Sequence, residues 1–164
     1  MAKRERVQKT NAMRELERGG VAYEWHQVEG EEDLSRGLGL RLAEENGEDP
    51  ASSFKTLVCV APGGDHVVCC LPVAEELDFK KAAAASGEKS LELIPVRDIE
   101  PLTGYVRGGT TPVGMRKQFP TLIDETAQLF DTIIISGGRR GLSLSLDPVA
   151  LADFLGATFA DITR

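Results

Sequence analysis

Apolar residues recur at two different spacings in the first fifty positions, and each spacing predicts a different element. Val7, Met13 and Leu16 fall near one helical face, and Gly19-Gly20 supplies the stop. Apolar and polar residues then alternate, which is the period of a half-buried strand. Leucines spaced by four follow and indicate another helix. These patterns predict a helix over residues 4–18, a strand over 21–26, a helix over 32–45 and a loop over 46–53.

Two nearly continuous apolar runs, at residues 54–61 and 66–73, form the clearest hairpin of the chain. The tetrapeptide Pro-Gly-Gly-Asp at 62–65 joins them. Runs without a polar phase indicate that both faces of the strands are covered. Lys55, a charged residue near the start of the first apolar run, is therefore unusual. Its long side chain either reaches solvent along its apolar stem or serves a site.

Shorter patterns fill the second half of the chain. Strands and helices mix irregularly and several neighbouring strands are joined as hairpins, which favours an α+β fold over a doubly wound one. We expect a single domain over residues 1–164, with a mixed, barrel-like β-sheet flanked by helices and an N-terminal helix within 1–20. The predicted elements are helices over 79–86, 95–102, 121–130 and 148–155, and strands over 91–94, 132–135, 142–146 and 157–162.

Composition excludes several classes of protein. The 164 residues contain no apolar run long enough to span a membrane, and no apolar segment follows the basic N-terminus. We therefore expect a cytoplasmic protein with no membrane partner. The three cysteines, Cys59, Cys69 and Cys70, lack the spacing of metal ligands and are expected to be buried, reduced thiols. No metal and no other cofactor is predicted.

The distribution of charge limits the partners. A net charge of −7 argues against a general binder of DNA or of any long duplex, which would normally be basic. Residues 1–18 hold six cations against three acids, whereas residues 29–49 hold eight acids against two arginines. A small basic site on an acidic body would suit one end of a nucleic acid better than a long duplex.

Two glycine-rich stretches carry the candidate chemistry. Residues 103–117 read T-G-Y-V-R-G-G-T-T-P-V-G-M-R-K, and residues 136–141 read S-G-G-R-R-G. Glycine lets a partner approach without a Cβ in the way, and Pro112 shapes its loop by fixing its own φ. Backbone N–H groups beside arginine and lysine suit an anionic or carbonyl-bearing ligand. A tight surface connection with solvated charges is the alternative interpretation.

Three segments of the chain are distinctive when they are taken together: F-K-T-L from Phe54, T-G-Y-V-R-G-G-T-T-P-V-G from Thr103 and S-G-G-R-R-G-L-S from Ser136. In this combination they resemble the YbaK/ProX family of aminoacyl-tRNA editing domains. The resemblance covers residues 20–162. It implies a compact α+β fold that cleaves the ester of a mischarged tRNA, either as a free-standing enzyme or with prolyl-tRNA synthetase.

The resemblance also implies roles for particular residues. Lys55 would hold the substrate or its developing negative charge, and Gly109 with its neighbours would contact the carbonyl or ribose. Arg139 and Arg140 would lie near the terminal phosphates of the tRNA. The remaining residues expected at the substrate or the tRNA end are Thr56, Gly108, Thr111, Pro112, Gly114, Ser136, Gly137, Gly138, Gly141 and Ser143.

The resemblance leaves the substrate open. Cysteine-specific relatives are thought to use the thiol of the substrate as the nucleophile, whereas alanine-specific relatives would use water or a ribose hydroxyl. This chain has Val28 and Ser143 where some relatives carry a polar and an acidic residue. Cys-tRNA(Pro) and Cys-tRNA(Cys) are the favoured substrates. The alternatives are Ala-tRNA(Pro), or a non-catalytic module that binds a tRNA end, a nucleotide or a synthetase.

Overall fold

The computed structural model describes residues 7–27 and 49–164, and the helix predicted at 32–45 lies outside them. Helix α1 (Asn11–Arg18) begins where the Thr10 hydroxyl accepts a hydrogen bond from the Met13 amide, and it ends at Gly19. Strand β1 (Tyr23–Gln27) follows as predicted. Within the described residues, α1 is thus shorter at its N-terminal end than the pattern at 4–18 predicts.

The predicted hairpin forms the centre of a five-stranded sheet. Its strands β2 (Phe54–Val60) and β3 (His66–Pro72) pair antiparallel over their full length. Outside them lie β4 (Glu92–Leu93), antiparallel to β2, then β5 (Thr121–Asp124) and β8 (Thr158–Ala160), which continue parallel from β3. The spatial order is β4-β2-β3-β5-β8, a mixed sheet as the sequence predicts.

A second sheet of three strands has the order β1-β7-β6. Its hairpin consists of β6 (Ile133–Ser136) and β7 (Leu142–Leu146), and β7 also pairs antiparallel with β1. A single parallel bridge between Ser53 and Ile134 joins this sheet to the edge of β2. The α+β prediction is therefore confirmed, and the two sheets meet along this edge without closing into a barrel.

Three further helices flank the sheets. Helix α2 (Phe79–Ser86) is capped by Asp78 and α4 (Pro148–Leu155) by Asp147, while α3 (Val96–Thr103) begins after Pro95. The helix predicted over 121–130 is wrong. Residues 121–124 form β5 between two parallel neighbours, and only Glu125–Leu129 turn as a 3-10 helix. No helix in the described ranges is long and apolar enough to cross a membrane.

The two faces of β2 and β3 contact different apolar cores. Phe54, Val58 and Cys70 join the larger core with α1, α4 and the inner face of the three-stranded sheet. Cys59 and Cys69 join a smaller core with α2 on the other face. All three thiols are buried and none forms a disulfide, in agreement with the sequence prediction. Because neighbouring strand residues face opposite ways, Cys69 and Cys70 lie in different cores.

Candidate functional site

The two glycine-rich turns contact each other directly. A Cβ added at Gly109 would lie 2.8 Å from the Arg139 Cα and 3.1 Å from the Arg140 nitrogen. The Arg140 Nε also donates to the carbonyl oxygen of Arg107 at 2.8 Å. Residues about thirty positions apart thus form one surface, and only glycine at position 109 permits the approach.

Backbone hydrogen bonds inside the turns use amides that the sequence assigned to the ligand. The Gly109 amide donates to the Val106 carbonyl at 2.9 Å, and the Gly137 amide donates to the Leu142 carbonyl at 2.8 Å. The Gly138 amide donates to the Ser136 hydroxyl at 3.2 Å. In this geometry the contribution of Gly109 is the close approach of the two turns, because its N–H group is already paired.

The residue that caps α1 and one buried tyrosine contact the two glycine-rich turns. The Thr10 hydroxyl donates to the Gly137 carbonyl at 2.6 Å, so the residue that caps α1 also holds the second turn. The buried Tyr105 hydroxyl donates to the Val113 carbonyl at 2.6 Å, and burial raises the pKa of this tyrosine. A Cβ at Gly138 would lie 3.0 Å from the Tyr105 ring. Tyr105 thus packs against both turns.

Strand register places several of the predicted residues in one row. Ser53 bridges Ile134 in parallel, and by the alternation of strand residues Lys55 and Ser136, each two residues further along, face the same side as this pair. Ser136 is directly opposite Ser143, and Ser143 is directly opposite His26 on β1. We call Lys55, Ser136, Ser143 and His26 the lysine row. It runs across four strands on the face turned away from the larger core.

Lys55 is half-buried at the end of this row. Desolvation by burial lowers the pKa of its ammonium group below the usual 10.5, while Glu75 and Glu76 act in the opposite direction. Glu76 and Glu75 are therefore close enough to Lys55 to act on its charge. A partly desolvated cation in this position interacts more strongly with an anionic or carbonyl oxygen than one in water.

Other predicted residues do not join the row. The Thr56 side chain points to the opposite face of β2, where its hydroxyl lies 3.8 Å from the Cys70 sulfur. Gly114 lies against α1, because an added Cβ would be 2.9 Å from the Asn11 carbonyl carbon. Thr111 and Pro112 are buried within the first turn. These residues are placed to shape the loop.

The two adjacent arginines make different contacts. The Arg139 guanidinium donates to the Gln8 carbonyl at 2.8 Å and to the Gln27 Oε1 at 2.9 Å, so it ties the N-terminal segment and β1 to the turn. Arg140 is exposed and bonds through Nε to Arg107, which is also exposed. Arg140 and Arg107 therefore present the positive charge at the end of β6, and Gly141 completes the turn beside them with φ +80°.

The residues of the lysine row offer one positive charge and hydroxyl groups for chemistry. Among the described residues no group of three or more histidine, cysteine, aspartate or glutamate side chains could hold a metal ion. The Ser136 hydroxyl accepts a hydrogen bond from the Gly138 amide, which orients the hydroxyl. In the lysine row, Lys55 supplies positive charge, and the Ser136 and Ser143 hydroxyls supply hydrogen-bond donors and acceptors.

Sequence reasoning did not assign Ser53, Ser145 or His26 to the site. Ser53 and Ser145 pair with Ile134 from either side. Together they form a second row, which lies next to the lysine row on the same face. The alternation L-S-L-S-L at 142–146 already placed Ser143 and Ser145 on one face. That this face is buried could not be read from the alternation, since exposed strands show the same period.

Comparison with known proteins identifies relatives over nearly the whole chain. The family model described as the aminoacyl-tRNA editing domain matches residues 40–154. EbsC of Enterococcus faecalis, to which Cys-tRNA(Pro)/Cys-tRNA(Cys) deacylase activity is attributed, is 44% identical over 99% of this chain and 98% of its own length.

Solved structures show the same fold at lower identity. A crystal structure described as that of a trans-editing enzyme for prolyl-tRNA synthetase has a TM-score of 0.81 at 23% identity, covering 94% of this chain and 95% of its own. The structure of a hypothetical protein has a TM-score of 0.83 at 19% identity, covering 94% of this chain and all of its own. These two matches establish the architecture.

Proposed function

Since the chain belongs to the aminoacyl-tRNA editing domain family, we propose that it is a trans-editing deacylase that cleaves the ester of mischarged tRNA. Cys-tRNA(Pro) and Cys-tRNA(Cys) are the proposed substrates, in line with the activity attributed to the relative that shares its full length. The observation that carries the proposal is the lysine row, in which a half-buried cation lies on one face with Ser136 and Ser143.

Lys55 is proposed to stabilise the charge that develops on the ester carbonyl oxygen. Attack on an ester converts the carbonyl oxygen into an oxyanion, so a cation fixed beside it stabilises the transition state more than the ground state. Partial burial strengthens this attraction, because less water competes for the lysine. Ser136 is proposed to orient the same oxygen or the ribose from the neighbouring strand.

The thiol of the substrate is the proposed nucleophile. Its sulfur forms a bond to the carbonyl carbon, the bond from that carbon to the ribose oxygen breaks, and the ribose oxygen takes up a proton. The first product is a cyclic thioester, which water then opens. A thiol with a pKa near 8.5 supplies a few per cent of thiolate at neutral pH, so the protein needs only to hold the ester in a reactive geometry.

The tRNA end is proposed to approach over the two glycine turns. Arg140 and Arg107 lie at the end of β6 next to the lysine row, at the position where the terminal phosphates would enter. The chain carries a net charge of −7, so its affinity for the tRNA body is expected to be low. Delivery by prolyl-tRNA synthetase in the cytoplasm would compensate for that low affinity.

Turnover of preformed aminoacyl-tRNA by the purified full chain tests the proposal. Cys-tRNA(Pro) should be deacylated faster than Ala-tRNA(Pro) and Ser-tRNA(Pro), because neither alanine nor a protonated serine hydroxyl supplies an internal nucleophile at neutral pH. Trapping of the cyclic thioester before free cysteine appears would identify the thiol route. Equal rates on the cysteine and alanine esters would contradict that route and favour attack by water. Absence of turnover on all three would contradict the enzyme assignment.

A further inference from the structure

One peptide group in the second glycine-rich turn is held at both of its polar ends. The Gly137 carbonyl accepts from the Thr10 hydroxyl at 2.6 Å, and the Gly138 amide donates to the Ser136 hydroxyl at 3.2 Å. This carbonyl and this amide belong to the same planar peptide bond, so one partner on each side fixes its orientation. A single rigid group therefore connects the Ser136 hydroxyl to Thr10.

The connection continues into the first turn of α1. The Thr10 oxygen also accepts from the amide of Met13, a residue that is 0% exposed in the larger core. The hydrogen bonds thus run in one direction, from the Met13 amide through the Thr10 hydroxyl and the Gly137–Gly138 peptide to the Ser136 hydroxyl. Bonds in such a chain polarise one another. Because the Ser136 oxygen accepts, its own proton points away from Gly138 and becomes a stronger donor.

Position 10 carries the residue type that this chain of bonds requires. In the described ranges, every other side chain that caps a helical turn is an aspartate, at Asp49, Asp78, Asp124 and Asp147. A carboxylate caps at least as well as a threonine, but at neutral pH it only accepts hydrogen bonds. A hydroxyl accepts from one group and donates to another at the same time. The bond to the Gly137 carbonyl therefore explains why a threonine occupies this cap.

We infer that Thr10 is a positioning residue, which holds the Ser136 hydroxyl in the orientation that donates to an oxygen of the ester. This inference rests on the proposed function, in which Ser136 orients the carbonyl or the ribose. Ser136 lies directly opposite Ser143 in the lysine row and is 5% exposed, so contacts within the protein set its orientation. Thr10 precedes α1 and lies outside that row, and its effect passes through the Gly137–Gly138 peptide.

Substitutions at position 10 separate the donor from the cap. Thr10→Asp retains an acceptor for the Met13 amide but cannot donate to the Gly137 carbonyl, because a carboxyl with a pKa of about 3.9 is ionised at neutral pH. It should lower kcat for Cys-tRNA(Pro) by about tenfold, the scale of one hydrogen bond, and change KM by less than about twofold. Thr10→Ser retains both bonds and should keep the wild-type kcat.

Asp78→Ala is the matched control for a loss of stability. Asp78 caps α2 against the smaller core and accepts from the Lys81 amide at 3.0 Å. Loss of this cap should lower Tm by about 2–4 °C and leave kcat unchanged. If Asp78→Ala slows turnover as much as Thr10→Asp does, the inference is overturned, because a general loss of stability would then account for both.

A double-mutant cycle determines whether Thr10 acts through Ser136. Ser136→Ala removes the last group of the chain, so adding Thr10→Asp to it should change kcat by less than about twofold. A loss that keeps its full size without the Ser136 hydroxyl would overturn the inference, because the new charge or a shifted turn would then be its cause. Wild-type kcat in the single variant Thr10→Asp would overturn it as well.

Amide hydrogen exchange in the full chain distinguishes this inference from the proposed activity. The Gly138 amide belongs to the chain of bonds, whereas the Gly137 amide donates to the Leu142 carbonyl and serves as an internal reference. In Thr10→Asp the Gly138 amide should exchange about tenfold faster, and the Gly137 amide should keep its wild-type rate. If this pattern appears but the wild type cleaves no aminoacyl-tRNA, the proposed activity fails while the coupling of Thr10 to Ser136 holds. If the wild type cleaves Cys-tRNA(Pro) and exchange at Gly138 is the same in both proteins, the inference is wrong and the proposed activity stands.

Discussion

Substitution of Gly109 by alanine tests whether the contact between the two glycine turns positions the site. The added Cβ would lie 2.8, 3.0 and 3.1 Å from three backbone atoms of Arg139 and Arg140, whereas carbon atoms in ordinary contact are about 3.5–4.0 Å apart. Backbone cannot rotate away as a flexible side chain can, so the turns must separate by about 1 Å. Overpacking of this kind costs about 1–3 kcal/mol.

Both stability and activity should therefore fall in Gly109→Ala. For a chain of this length the cost corresponds to a loss of about 2–10 °C in Tm, which calorimetry measures directly. A displacement of about 1 Å between a substrate and its catalytic groups can cost about 10²-fold, so deacylation of Cys-tRNA(Pro) at subsaturating substrate should fall by this order.

Gly63→Ala is the control for this experiment. An added Cβ at Gly63 would meet nothing within 4 Å, and its φ is outside the left-handed region. Its Tm should stay equal or rise slightly, because alanine restricts the unfolded chain more than glycine does. Wild-type Tm and wild-type turnover in Gly109→Ala would refute the argument that this contact sets the geometry.

Three further predictions concern the residues around these turns. Lys55→Ala should lower deacylation by about 10²-fold or more while the protein stays folded. Burial lowers the pKa of Lys55 below 10.5, so this lysine loses its charge at a lower pH than an ordinary lysine does. Wild-type turnover should therefore decline as the pH rises through that lowered pKa. Lys55→Arg should remove the decline from the pH–rate profile, because arginine stays charged. Tyr105→Phe leaves the Val113 carbonyl without its donor and should lower the free energy of unfolding by about 1–3 kcal/mol in denaturant titrations. Arg140→Ala should weaken tRNA binding and reduce the slope of its salt dependence by about one unit. Arg139→Ala should lower Tm instead, because Arg139 holds the N-terminal segment. The opposite pattern would contradict these separate roles of the two arginines.

The sequence predicted elements well where local signals agreed. The hairpin at 54–73 has strong β-branched runs and a glycine turn, and α4 has Asp147 as cap with Pro148 behind it, so both appear as expected. Residues 121–124 form a strand because they lie between β3 and β8, which are distant in sequence. Asp124 then ends that strand by accepting from the Thr126 and Ile162 amides. Such long-range pairing cannot be read from local spacing.

The sequence suggested residues for a candidate site, but it could not give their arrangement. Sequence reasoning named Lys55, Ser136 and Ser143, yet only the bridge between Ser53 and Ile134 brings them into one row. It also treated Thr56 as a neighbour of Lys55 in function, although adjacent strand residues face opposite ways. Which hydroxyls are buried without partners depends on atoms from several strands, and no spacing rule contains that information.

The burial of all three cysteines should make the folded protein unreactive towards thiol reagents. Burial raises the pKa of Cys70 to about 12, and Cys59 and Cys69 are 0% exposed. Thiolates, not thiols, react with aromatic disulfide reagents, so the folded protein should be almost invisible to them. A slow rise in absorbance after such a reagent is mixed with the protein would therefore measure how often the buried cores open.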